Sequence, residues 1–248
     1  MSKPSTLHLR ALPEIETLKR LCKSISALDA IICPEWEYRY YSYNKAWDAA
    51  AGEECMQMRD GSGDEFMVLF SKDGAVINGL AHESVMVGWQ EVAVPSKNFL
   101  QKVFGKRKTE RKQVIWNGVV DTLPEVFKHF IFGEPVASIG TTFCIWRQYT
   151  DVAWRMGRIK FPDDAYGDGS KDLLFIFDNK PTTYRSWAID YYEDEFDGDP
   201  EKLDLELVKH VYEHRKLTKD VVLKINPQLD DWGKLKADLD EIGYAYGF

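Results

Sequence analysis

Apolar positions recur along this chain with two different periods, and the switches between them mark its elements. Ile15, Leu18, Leu21, Cys22, Ile25 and Leu28 fall on one helical stripe, while Lys19, Arg20 and Lys23 lie off it. With Pro13 suited to a first helical position, the spacing predicts a helix over 12–29. Pro34 interrupts the chain, and Trp36-Glu37-Tyr38-Arg39-Tyr40-Tyr41-Ser42-Tyr43 alternates roughly, as a strand does. Cys55 to Arg59 alternates again. Phe66 to Phe70 is apolar throughout, which suits a central strand. Ser71-Lys72-Asp73-Gly74 reads as a hairpin turn, returning an antiparallel strand over 75–80.

Beyond it, Phe99, Leu100 and Val103 share one face of an expected helix over 95–104. The basic run 106–112 reads as a loop and as the boundary between two units, residues 1–112 and 113–248, which pack separately or as one globule. The last third is helical. Tyr184, Trp187, Ala188 and Tyr191 mark one helix, and Leu203, Leu207, Val208 and Val211 mark the next. Thr218 caps another that ends at Pro227, and Asp230 or Asp231 caps the last, which runs to Gly243.

The pattern also echoes itself. Asp60-Gly61-Ser62 leads into the apolar run at 66–70, and Asp168-Gly169-Ser170 leads into Leu173-Leu174-Phe175-Ile176-Phe177. Leu12-Pro13-Glu14-Ile15 is matched by Leu123-Pro124-Glu125-Val126, which opens a helix running through Phe132. Cys33, Trp36, Tyr43 and Trp47 are matched in order by Cys144, Trp146, Tyr149 and Trp154. The expected fold is therefore α+β: two similar halves, each a helix plus a small antiparallel sheet, with an added C-terminal helical layer.

Composition narrows the function classes. A chain of 248 residues with 44% hydrophobic residues can bury a core of its own. A net charge of −8 opposes non-specific binding to nucleic acid or to an anionic membrane. No apolar run is long enough for a transmembrane helix, and the first residues lack the apolar stretch of a signal peptide. Cys22, Cys33, Cys55 and Cys144 show no metal-binding or redox spacing, which points to reduced thiols and a cytoplasmic setting. The 13% aromatic share, with eight Trp and twelve Tyr, is high enough to serve both a core and an exposed contact surface. It marks Trp36, Tyr38, Tyr40 and Trp89 as candidate contact residues.

Candidate chemistry is sparse. His210-Val211-Tyr212-Glu213-His214 matches the inverted zinc-peptidase pattern. On a helix, His210 and His214 would share a face and hold a metal, with Glu213 activating a water. His82 follows the strand apposed to Asp64, so the two can meet as an acid–base pair. Asp190, Glu193, Asp194, Glu195, Asp197, Asp199 and Glu201 form an acidic stretch that lacks the ligand spacing of a calcium loop. It reads as a solvated helix end or as a docking patch for a basic partner. No nucleophile elbow, phosphate loop or dinucleotide fingerprint is present, and no cofactor is called for.

Residues 12–84 resemble the SUKH superfamily, a bacterial and eukaryotic group of α+β proteins. The resemblance lies in a leading helix before a small antiparallel sheet, Gly63-Asp64 entering an apolar strand, and His82 after the next strand. It implies a binding module without catalysis, because many bacterial members are immunity proteins that neutralise nuclease or other toxins and eukaryotic relatives are regulatory. The leading expectation is therefore a non-enzymatic protein-binding module whose partner is a toxin or a regulatory target. Its surface would draw on Trp36, Tyr38, Tyr40, Asp64, His82 and Trp89. The alternatives are a metal-dependent hydrolase using His210, Glu213 and His214, and a small-molecule pocket between two sheets.

Overall fold

A computed structural model describes residues 2–93, 109–164, 167–196 and 198–248. Its first long element is α1 (Ile15–Ile32), with Glu14 at the N-cap position, so Pro13 precedes the helix instead of opening it. The segment 36–43 is not one strand. Trp36–Tyr38 forms a 3-10 turn, and β1 (Tyr41–Asp48) begins only where Tyr41 and Tyr43 turn inward. Next come β2 (Glu53–Arg59), β3 (Glu65–Ser71) and β4 (Gly74–Leu80), then a separate antiparallel pair, β5 (Gly88–Ala93) and β6 (Thr109–Val114). Residues 109–112 of the expected basic loop therefore lie in a strand. The expected helix at 95–104 and the first residues of the basic run lie outside the described residues.

After α2 (Glu125–Ile131) and α3 (Val136–Ile139), β7 (Phe143–Gln148) and β8 (Arg155–Met156) rejoin the first four strands. The sheet order is β1-β2-β3-β4-β7-β8, antiparallel at every pairing. The fold is α+β, with helices following the sheet at the C-terminus. These are α4 (Ser170–Leu173), α5 (Pro181–Tyr191), α6 (Glu193–Phe196), α7 (Leu205–Tyr212), α8 (Lys219–Ile225) and α9 (Trp232–Ile242).

The continuous apolar runs have a geometric cause. Successive strand residues point to opposite faces, and both faces of this sheet are covered. Phe66, Val68 and Phe70 of β3 pack with α1 and the C-terminal helices, while Met67 and Leu69 pack with Phe127, Phe130 and Ile131 of α2. On β7, Phe143 and Ile145 face α1, and Cys144 and Trp146 face α2. Gly79 of β4 leaves space for the Phe143 ring, which a Cβ would meet at 2.0 Å. Helix α1 is buried without interruption from Ser24 to Ile32, with the sheet on one side and α7 and α9 on others.

The two-halves expectation is corrected here. One sheet takes strands from both sides of residue 112, through six register pairs between β4 and β7. The two Asp-Gly-Ser segments share only their local turn. Asp60 Oδ1 accepts from Ser62 N at 2.7 Å, and Asp168 Oδ1 accepts from Ser170 N at 3.0 Å. After the first turn the chain enters β3; after the second it enters α4 and a 3-10 turn, Phe175–Asp178. The neighbouring position beside β7 is taken by β8, and Leu173, Leu174, Ile176 and Phe177 instead fill the α1 side of the core.

The β3–β4 hairpin pairs Ser71 with Gly74. Gly74 has φ +144°, and a Cβ there would lie 2.1 Å from the Arg147 carbonyl oxygen on β7. Gly74→Ala should therefore cost about 2–3 kcal/mol, read as a lower urea midpoint at unchanged slope. An unshifted midpoint would show that the turn tolerates a side chain.

Candidate functional site

The chain leaving α1 turns at Pro34 and passes beneath the end of β2, opposite the junction of α5 and α6. Between them lies a groove of about 720 Å³. Its floor is Arg39, which is buried and held through two of its nitrogens: Nε donates to the Cys33 carbonyl (3.0 Å), and Nη2 donates to the Pro34 carbonyl (2.9 Å) and to Asp238 (2.8 Å). That anchoring turns the neighbouring side chains outward. Tyr38, 75% exposed, stands on the groove wall. Trp36, 46% exposed, carries the Arg59 guanidinium 4.0 Å above its ring, a cation–π contact at the rim.

The opposite wall is aromatic beneath and acidic above. Tyr40 is half-buried and packs against Tyr41, Trp187 and Tyr191 with ring centroids 4.6–4.8 Å apart. Tyr191 and Tyr192 continue to the surface, followed by Asp194 and Glu195. The lining holds five carboxylates, Glu35, Glu37, Asp60, Asp194 and Glu195, against two arginines. Both arginines are committed, Arg39 to Asp238 and Arg59 to Trp36. Lys234 offsets one carboxylate, through Glu35 at 2.8 Å. A second cleft of about 660 Å³ near the N-terminus carries His8, Arg10 and Lys180, but no Trp, Tyr or Phe lines it.

Behind the groove sits Asp29. It is wholly buried and accepts hydrogen bonds from Tyr41 N (2.8 Å), Tyr184 Oη (2.6 Å) and Tyr192 Oη (2.9 Å). Burial pushes its carboxyl up to about 7, against the opposing effect of those three donors and of the Arg39 charge.

Of the residues marked from sequence, the structure brings Tyr38 into the groove, Trp36 to its rim and Tyr40 beneath it. Asp64 and His82 do meet, at the next turn. Asp64 Oδ1 accepts from the His82 backbone N–H at 2.8 Å and lies 2.7 Å from its Nδ1. That hydrogen bond raises the His82 pKa. The pair does not line the groove. Trp89 lies in β5, and its side chain is outside the described residues.

The zinc-peptidase alternative loses its geometry. Helix α7 ends at Tyr212, and His214 has φ +57°, so the motif does not continue along one helical face. His210 Nε2 lies 3.2 Å from the Lys216 carbonyl, and His214 Nε2 lies 2.8 Å from the Arg20 carbonyl. Glu213 pairs with Arg215. Among the described residues, no cluster of three or more His, Cys, Asp or Glu side chains could hold a metal ion.

Sequence reasoning missed Asp29 and Arg39. A carboxylate inside Ala27-Leu28-Asp29-Ala30-Ile31-Ile32 is the available signal, since an unpaired charge on so apolar a stretch is costly. Comparison with protein-family models, with curated proteins and with solved structures finds no significant match. Among the described residues, no helix is long and apolar enough to cross a membrane.

Proposed function

We propose that this chain is a non-enzymatic protein-binding module, of an immunity or regulatory kind, that docks a cationic segment of a partner protein in the groove between residues 33–39, 59–61 and 191–195. One observation carries the reading: five carboxylates line the groove while both of its arginines are already engaged, and exposed Trp36 and Tyr38 stand beside them. Carboxylates attract and orient a basic partner, the exposed Tyr38 ring supplies a face for a guanidinium, and Trp36, already carrying Arg59, adds contact area at the rim. The proposal extends the SUKH likeness of residues 12–84 from sequence to function. It sets the chain in the cytoplasm, consistent with four unpaired cysteines.

A short poly-arginine peptide titrated into the protein at low salt tests this, with poly-glutamate as the control. Binding of the first alone is expected, weakening as salt rises. Combined Asp194→Lys and Glu195→Lys substitution should weaken it about tenfold or more. Both side chains are exposed, so stability should change by less than about 0.5 kcal/mol per site. Equal binding of both peptides, or an unaffected double variant, would overturn the reading.

A further inference from the structure

We propose that docking in this groove is proton-coupled: Asp29, one side chain behind the groove wall, releases its proton when a cationic segment seats, so that binding tightens from pH 6 to pH 8. The inference rests on reading the groove as a cation-binding face.

The coupling has a physical route. Tyr192 is a buried residue of the groove lining, and its hydroxyl donates to Asp29 Oδ2 at 2.9 Å. The same hydroxyl accepts from the Tyr40 backbone N–H at 3.4 Å. Cys33, one turn further along the α1 side, also lines the groove. When ionised, Asp29 accepts from all three of its donors at once. When protonated, one oxygen carries an O–H and the carboxyl is a weaker acceptor for the same three donors, so loss of the proton strengthens the bond from the Tyr192 hydroxyl.

The neighbours leave Asp29 as the group that changes charge. Facing it are Cys33 at the end of α1, Arg39 and Tyr40 before β1, Tyr41 on β1, Tyr184, Tyr191 and Tyr192 on and just after α5, and Tyr212 on α7. Burial raises the thiol and every one of these phenols, which keeps them neutral between pH 6 and pH 8. Arg39 is a cation throughout and is spent on Asp238 and two carbonyls. The Asp29 carboxyl, held up to about 7 by burial, titrates within that window. A cation in the groove favours the ionised carboxylate through poorly screened protein, and by linkage the ionised carboxylate favours the cation to the same degree. Glu35, Glu37, Asp60, Asp194 and Glu195 add attraction on the solvent side.

The test is calorimetric titration of a short, N-acetylated poly-arginine peptide, whose guanidinium groups keep their charge throughout this range, at pH 6, 7 and 8 and constant ionic strength. A coupling of about one pKa unit gives roughly fivefold tighter binding at pH 8 than at pH 6. It also gives release of about 0.4 proton per bound peptide at pH 7, read from buffers of differing ionisation enthalpy. Asp29→Asn, which keeps a neutral amide in place, should flatten the pH profile and abolish the release. His82 also titrates nearby, so His82→Gln must retain both effects. Equal affinity at pH 6 and pH 8, proton uptake, or a pH profile that persists in Asp29→Asn would overturn the coupling while leaving the groove reading intact. Absence of peptide binding at every pH would overturn the groove reading and the coupling with it. If Asp29→Asn does not fold, the proton count on the wild-type and His82→Gln chains decides.

Discussion

Asp29→Ala should lower the unfolding free energy by about 3–5 kcal/mol at pH 5, and by about 3 kcal/mol less than that at pH 8. The low-pH cost follows from the three donors that would lose their acceptor inside the core: Tyr41 N–H, Tyr184 Oη–H and Tyr192 Oη–H. Each buried donor left unpaired costs about 1–3 kcal/mol, partly relieved by local rearrangement. The narrowing follows from the raised folded-state pKa. In the unfolded chain Asp29 titrates near its ordinary value of about 3.9. In the folded protein it holds its proton up to about 7. Between these values the native state binds one more proton than the unfolded state, so stability falls as pH rises. The slope is about 1.4 kcal/mol per pH unit, and the contribution is fully present below pH 4. Alanine carries no such dependence. Urea unfolding of both proteins at pH 5 and pH 8 measures the difference directly, and other titrating groups cancel in the comparison. A gap of constant size would mean that Asp29 is ionised throughout and that burial does not control its titration.

Trp146→Ala should cost about 3–5 kcal/mol, whereas Trp36→Ala should cost no more than about 1 kcal/mol. These two residues occupy matching places in the internal echo, yet the structure treats them oppositely. Trp146 is fully buried on β7, among Met67, Leu69, Val76 and the α2 side chains. Removing its indole opens a cavity between sheet and helix that neighbouring strands cannot close without losing register. Trp36 is exposed on a 3-10 turn, and its main partner is the Arg59 guanidinium. Its loss should appear in peptide binding, not in unfolding. Comparable destabilisation by both substitutions would contradict the packing that separates them.

Much of the fold was readable because local rules and tertiary packing agree. Helix α1 shows its stripe, β3 and β4 are joined by a turn that needs a glycine at φ +144°, and Thr218 accepts from Val221 N at the cap of α8. Asp231, one of two candidate caps, is the residue that accepts from Lys234 N, and Gly243 at φ +76° ends α9. The failures arose where pattern was right and destination was not. Trp36 and Tyr38 alternate like strand residues, but the needs of buried Arg39 hold that stretch as a turn. The His210–His214 spacing is correct for one helical face, but α7 stops at Tyr212, where Tyr244 Oη donates to the Val211 carbonyl.

The sequence by itself determined the α+β class, the hairpin and strands from 55 to 80, the C-terminal helical layer with its caps, and a net acidic charge. All of these depend on periodicity, turn chemistry and charge, which act over a few residues or over the whole composition. Tertiary structure alone decided that β7 joins β4, that the second Asp-Gly-Ser segment becomes helix, and that Asp29 lies behind a groove built from three distant segments. Those outcomes depend on which faces become covered and which sheet positions are already taken. Such long-range competition between alternative partners leaves no mark in a local window of the chain.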